Sequence, residues 1–274
     1  MDHYAVIGNP IEHSKSPQIH AAFARQTGQH LEYGRILGSL DDFAADVRRF
    51  VAEGGRGLNV TVPFKEQAWE LLADRSERAA AAGAVNTIIV LDGGLLRGDN
   101  TDGVGLVRDL SGNHGFDFGG KRVLLLGAGG AARGVLRPLL DAGPAALVIA
   151  NRTAARALDL AAGSGGAARG CGLDELAGLC ATEGPFDLII NATSSGLDDR
   201  VPAIPDDCLA NGGWVYDMLY GDAPTPFCRW GHGHGAGKVL DGLGMLVEQA
   251  AESFRLWRGI RPDTAPVIAM LRGG

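Results

Sequence analysis

The sequence predicts an α/β protein of two domains, and three observations carry that expectation. Residues 122–153, RVLLLGAGGAARGVLRPLLDAGPAALVIANRT, read as strand, glycine turn, helix and strand. The stretch before them alternates short apolar runs with helical segments, the pattern of a mostly parallel sheet. After them, from Gly242, the segment GLGMLVEQAAESFRLW sets Leu243, Leu246, Val247, Ala250, Phe254 and Trp257 on one stripe at helical spacing.

Taken in order, residues 4–7 form a short strand ending at Gly8. The loop NPIEHSKSP then enters a helix with Ser16 as N-cap, Pro17 in its first turn and Gly28 as its stop. Strands over 31–37 and 57–62 flank a helix over 41–53, and helices over 64–73 and 76–82 follow. Residues 85–91 turn across Asp92-Gly93-Gly94 into 95–97, so the sheet is expected to be parallel with an antiparallel edge. A helix over 103–110 and the loop SGNHGFDFGG connect to the second domain, where a helix over 154–162 and strands over 186–191, 215–219 and 238–240 are expected. The apolar helix from Gly242 is expected to return to the first domain, and the cleft between the domains to hold a substrate. The domains are thus 1–102 with 241–274, and 103–240.

Gly127-x-Gly129-x-x-Ala132 fits the dinucleotide fingerprint of Rossmann-type domains, whose last position tolerates alanine. Gly127 permits the tight turn, Gly129 lets backbone approach a pyrophosphate, and Ala132 lets helix and strand pack closely. The helix N-terminus offers N–H groups and a positive dipole. Pro138 lies inside this helix and is expected to kink it. At the end of the second strand an NAD site carries an acid for the ribose hydroxyl. Here the residues are Asn151, Arg152 and Thr153, with Arg156 a helical turn on. A guanidinium fork matches a 2′-phosphate, so the cofactor read from these positions is NADP. Thr153 is also placed to cap the next helix.

Composition sets bounds. The 274 residues are 46% apolar and 21% charged, as in ordinary globular proteins, and suffice for two domains. A net charge of −7 without a basic cluster argues against nucleic acid. No apolar run reaches membrane-spanning length and the N-terminus does not read as a signal peptide, so a cytoplasmic protein is expected. Four cysteines lack C-x-x-C spacing and the seven histidines give no ligand set, so no metal is expected. Three N-x-T triplets begin at Asn59, Asn151 and Asn191, and in such a protein they need an explanation other than glycosylation.

Polar residues recur at the strand ends of the first domain: Ser14, Ser16, Asn59, Thr61, Asn86 and Thr101 among them. Ligands of open α/β sheets sit there, and hydroxyls and amides suit a small polyhydroxylated acid. Each is equally a turn residue, and Ser16 is explained by capping alone. Lys65 lies in the first turn of a helix, where the macrodipole disfavours a cation. It is either a surface lysine or a proton donor to a carbonyl being reduced. Asp102 is either its carboxylate partner or a helix cap. Met218 and Tyr220 follow a strand of the second domain, and Gln249 flanks the apolar stripe of the last helix.

Nine blocks extend these readings to a family: YAVIGNPIEHSKSPQIH, GLNVTVPFKE, ERAAAAGAVNT, GDNTDGVG, GAGGAARGV, NRT, INATSSG, YDMLYGDAPTPF and DGLGMLVEQAA. In order and spacing they resemble the shikimate dehydrogenases from Tyr4 to about Leu271. The resemblance implies an NADP-dependent oxidoreductase that reversibly reduces 3-dehydroshikimate to shikimate in aromatic amino-acid biosynthesis. It implies that Ser14 and Ser16 hold the substrate carboxylate with Tyr220 assisting, and that Thr61, Asn86, Asp102 and Gln249 bind ring hydroxyls. Lys65 becomes the acid/base residue, coupled to Asp102. Gly127, Ala128, Gly129, Gly130 and Ala131 carry the pyrophosphate, and Asn151, Arg152, Thr153 and Arg156 the 2′-phosphate. Met218 and Gly242 line the nicotinamide side, and Glu77 also touches the cofactor. The expected partners are the small-molecule substrate and the cofactor, with no nucleic acid and no membrane, in a monomer or homodimer. YGDAPTPF departs from the commoner asparagine-proline after the tyrosine, and GAARGV has alanine where serine is frequent. The alternatives are an NAD-using quinate/shikimate dehydrogenase, which Arg152 disfavours, and a non-catalytic nucleotide or metabolite sensor on the same fold.

Overall fold

The apolar runs become strands of two six-stranded sheets. The computed structural model describes residues 1–273, in which Met1–Leu106 and the segment from Leu246 on make one unit and Val107–Met245 the other.

The first unit contains β1 (Asp2–Gly8), α1 (Ser16–Thr27), β2 (Leu31–Leu37), α2 (Phe43–Ala52), β3 (Gly55–Val60), α3 (Lys65–Leu71) and β4 (Asp74–Arg75). It continues with α4 (Glu77–Ala82), β5 (Thr87–Val90), β6 (Leu96–Asp99) and the start of α5 (Asp102–Arg108). The strand order is β2-β1-β3-β5-β6-β4. β1 runs parallel to β2 and β3, whereas β5 is antiparallel to both β3 and β6. The expected antiparallel edge is therefore corrected: the reversed strand lies inside the sheet. The turn after β5 restores the β3 direction in β6, and the edge falls to the two-residue β4, which pairs parallel to β6. So short an element leaves no period to read in the sequence.

β1 is buried from Tyr4 to Gly8 because helices cover both faces of the sheet. On one face Ile7, Leu58 and Ile88 pack with Phe43, Val47 and Phe64.

The start of α1 also differs from expectation. Ser16 is its first helical residue, and Lys15 holds the cap position without a side-chain capping bond. The Ser14 hydroxyl instead accepts the Ser16 N–H at 3.3 Å, so the Ser16 hydroxyl is not used in capping.

The second unit contains β7 (Arg122–Leu126), α6 (Gly130–Asp141), β8 (Ala146–Asn151), α7 (Ala154–Ala162), β9 (Arg169–Gly172) and α8 (Leu176–Glu183). Then come β10 (Phe186–Asn191), β11 (Leu209–Asp217), α9 (Pro226–Gly233) and β12 (Lys238–Leu240). All six strands are parallel, in the order β12-β11-β10-β7-β8-β9. This doubly wound order reverses direction next to β7, the position at which such sheets bind dinucleotides. Helix α6 runs through Pro138 to Asp141. Thr153 occupies the cap position of α7, yet its side chain makes no capping bond.

Two last helices follow, α10 (Leu243–Arg258) and α11 (Ala265–Leu271). From Leu246 on they belong to the first unit, where Val247, Ala250 and Phe254 pack with Ile19 and Phe23 of α1 and Val267 of α11. Among the described residues no helix is long and apolar enough to cross a membrane.

Candidate active site

At the carboxyl ends of the first unit's strands, Lys65 opens α3 and Asp102 opens α5. Lys65 Nζ donates to Asp102 Oδ2 at 2.6 Å, with the lysine side chain 25% exposed and the aspartate 9%. Asp102 is thus an ion-pair partner rather than a helix cap. Its other oxygen accepts Asn86 Nδ2 at 2.8 Å, and the same amide group reaches Gln249 Oε1 at 3.2 Å. Asn86 Oδ1 accepts the Thr101 N–H at 2.9 Å and the Thr87 hydroxyl at 2.8 Å, which fixes which way the amide faces. A reversed amide would aim a carbonyl at a carboxylate. Four of the expected residues, Lys65, Asp102, Asn86 and Gln249, therefore share one hydrogen-bonded cluster.

Behind the cluster lies a buried polar layer. The Ser253 and Thr87 hydroxyls share a hydrogen bond of 2.8 Å, and Asn59 Nδ2 donates to Ser253 at 3.0 Å. The Tyr33 hydroxyl donates to Asn59 Oδ1 at 2.7 Å, and burial pushes its pKa well above the usual phenol value. Ser253 was not read from the sequence, although it stands one helical turn past Gln249 and so shares its face. Tyr33 was missed too, because an aromatic in a strand ordinarily signals packing.

Ser14, Thr61 and Glu77 share no hydrogen bond with that cluster among the described residues. Ser14 Oγ accepts from the Ser16 N–H, leaving its own proton uncommitted, while Arg35 of β2 donates to the Ser14 carbonyl at 2.6 and 3.2 Å. Thr61 lies against Gly8, where any side chain would strike its methyl group. Glu77 is exposed in the first turn of α4, with no hydrogen bond to the cluster among the described residues.

The second unit carries the glycine turn. Gly127 has φ +108°, and a side chain there would meet the Ala192 carbonyl at 3.1 Å. Glycine is required on both counts. Gly129 has extended backbone and open space where a side chain would project, so its lack of a side chain keeps the approach clear. As N-cap of α6 it gives no side-chain acceptor, so the N–H groups of Gly130 and Ala131 lack a capping side chain. An anionic pyrophosphate fits such a cradle. Asn191 bolts the neighbouring turn, accepting the Thr193 N–H at 3.1 Å and donating to Asp217 at 3.0 Å. The block INATSSG marks this turn in the sequence without marking Asn191 as a site residue.

At the end of β8, Asn151 Nδ2 donates to the Thr153 carbonyl at 2.9 Å and sets the turn. Arg152 and Arg156 project from it, both exposed and, among the described residues, without a hydrogen-bond or ion-pair partner for their side chains. Two unpaired guanidinium groups in a protein of net charge −7 fit a 2′-phosphate.

Met218 N–H donates to the Asn191 carbonyl at 3.0 Å, and Gly242 N–H to the Leu219 carbonyl at 3.0 Å. A side chain at Gly242 would collide with the Met218 carbonyl, so these two expected residues are neighbours. Burial raises the pKa of Asp217, which still accepts from Thr225, Leu219 and Asn191 and so fixes the end of β11. Burial likewise raises the pKa of Tyr220.

Comparison with known proteins follows this division. Residues 6–88 match a model described as the shikimate dehydrogenase substrate binding domain, 110–198 one described as shikimate / quinate 5-dehydrogenase, and 242–272 a shikimate 5'-dehydrogenase C-terminal domain. The shikimate dehydrogenase (NADP(+)) of Alkalilimnicola ehrlichii is 58% identical over 274 residues, covering 99% of this chain and 98% of that protein. The crystal structure of an Ael1 enzyme from Pseudomonas putida superposes with a TM-score of 0.92 at 49% identity, over 99% of this chain and 98% of the other. That of the Thermus thermophilus shikimate 5-dehydrogenase in complex with NADP(H) and shikimate gives 0.87 at 34% identity, over 100% and 99%.

Proposed function

Because the chain belongs to the shikimate dehydrogenase family, we propose that it reduces 3-dehydroshikimate reversibly to shikimate with NADPH. The first unit is the substrate-binding domain in this reading, and the second binds NADP. The observation that carries the chemistry is the Lys65–Asp102 pair, 2.6 Å apart at the strand ends and flanked by amides.

When bound, NADPH supplies the hydride that adds to the ring carbonyl carbon. Lys65 then gives a proton to the oxygen that has gained charge, and takes it back in the reverse direction. Asp102 keeps Lys65 aimed, and the Asn86 amide holds Asp102 in place through its second oxygen. Asn86, Gln249 and Thr61 offer donors and acceptors to the ring hydroxyls. Ser14 and Ser16 offer hydroxyl protons to the substrate carboxylate. Gly127 to Ala131 receive the pyrophosphate, Arg152 and Arg156 the 2′-phosphate, with Asn151 and Thr153 shaping that turn. Met218 and Gly242 flank the nicotinamide. A cytoplasmic setting goes with this reading, since Cys171, Cys180, Cys208 and Cys228 are all buried free thiols.

The test is an assay of the purified protein with shikimate and quinate, each with NADP and NAD. Oxidation of shikimate with NADP far exceeding the other three combinations is expected. Turnover only with quinate and NAD would replace the reading, and ligand binding without turnover would favour a sensor. In Arg152→Ala the KM for NADP should rise while that for shikimate stays put.

A further inference from the structure

The proposed carboxylate site at Ser14 and Ser16 offers two hydroxyl donors but no charge from either serine. Arg35 supplies one. It lies near the end of β2, opposite Val6 of β1, and its guanidinium donates twice to the Ser14 backbone carbonyl, from Nη2 at 2.6 Å and Nε at 3.2 Å. Its side chain has no other hydrogen-bond or ion-pair partner among the described residues. The contact has two effects on an anion beside Ser14. It engages the Ser14 carbonyl, so that this oxygen is held toward the cation and not toward the anion. It also fixes a positive charge at the Ser14 backbone, one residue before the Lys15-Ser16 turn. The Ser14 hydroxyl already accepts the Ser16 N–H at 3.3 Å, so its proton is left for an acceptor. Ser16 opens the twelve-residue α1, whose positive dipole end has the same sign as Arg35.

We propose that Arg35 is a positioning residue that makes this site selective for an acid, holding the Ser14 loop in place and balancing the substrate carboxylate. The inference rests on the proposed function, because it takes the substrate to be a carboxylic acid bound at these serines.

The experiment compares wild type with Arg35→Met, Arg35→Gln and Arg35→Lys. Binding of shikimate and of its neutral methyl ester is measured by calorimetric titration, and kcat and KM are measured with NADP. Arg35→Met should weaken shikimate about ten-fold, because it removes an opposite charge from near the carboxylate. The ester should lose distinctly less affinity than shikimate does. The KM for NADP should not move and kcat should change little, while Arg35→Lys recovers part of the loss. Arg35→Gln keeps donors without charge and serves if the methionine variant fails to fold. Unchanged shikimate affinity in the uncharged variants overturns the inference, and so does an equal loss for acid and ester, which would make Arg35 a loop brace alone. A wild type that does not oxidise shikimate defeats the proposed function instead, a separate outcome.

Discussion

Lys65 occupies the first position of α3, where the helix dipole opposes a cation, and the Asp102 carboxylate at 2.6 Å offsets that cost. Replacing the ammonium by a thioether removes the proton and little of the packing. Lys65→Met should therefore lower turnover by about 10²–10⁴-fold while shikimate affinity in a titration stays close to wild type. Retained turnover would remove Lys65 from the chemistry. The family resemblance names Lys65, Asp102, Asn86 and Gln249 in the sequence, whereas position alone leaves each open between ligand and turn, cap or surface residue. The three N-x-T triplets have a physical explanation here: Asn59 ties a buried layer, Asn151 shapes a turn, and Asn191 bolts the loop beside Gly127. Ser16 shows where such reading fails. A serine before proline at a helix start reads as a cap, but which of two nearby hydroxyls accepts the N–H depends on the loop's path. Arg35 was hidden for a related reason, because its partner is a backbone carbonyl and leaves no mark in residue type.

The elements that were legible are the long periodic ones, and those that were not lack a period. β9 and α8 lie after a glycine-rich stretch, and β4 is two residues long. The orientation of β5 depends on tertiary pairing, which alternation of residue types does not encode. A further feature invisible in the sequence is the ion network binding α4 and β6 to α10. Arg78 forks onto Asp99 at 2.6 and 3.0 Å and reaches Glu252 at 3.2 Å, and both carboxylates are nearly inaccessible. Arg78→Met would leave buried negative charge short of a partner. A loss of about 3 kcal/mol in urea unfolding is expected, without a change in slope. An unaltered midpoint would show that Arg255 and Arg261, which also pair with Glu252 at 2.8 and 3.7 Å, suffice.

Over the whole chain, stability should fall on the acid side partly through one histidine. His20 is fully buried, stacked on Tyr33 at 4.1 Å, and burial lowers its pKa from 6.5 to about 3. Above pH 6.5 it is neutral in both folded and unfolded chains. As pH falls from 6.5 toward 3, the unfolded chain takes up a proton that the folded chain refuses. That difference costs about 1.4 kcal/mol per pH unit within the window. The unfolding free energy, measured by denaturant titration, should thus fall less steeply from about pH 7 to pH 5 for His20→Phe than for wild type. Parallel slopes would mean that His20 is protonated in place.

The division of the chain also bears on the order in which it is made. Residues 107–245 are contiguous, whereas the first unit takes its remaining helices from Leu246 on. A nascent chain leaving the ribosome presents the whole middle segment before α10 and α11 exist. The aromatic and aliphatic face that α1 turns toward Phe254 and Val267 stays bare until then. Translation therefore supplies the contiguous unit before the divided one, and Ile19 and Phe23 are covered only once the last helices follow.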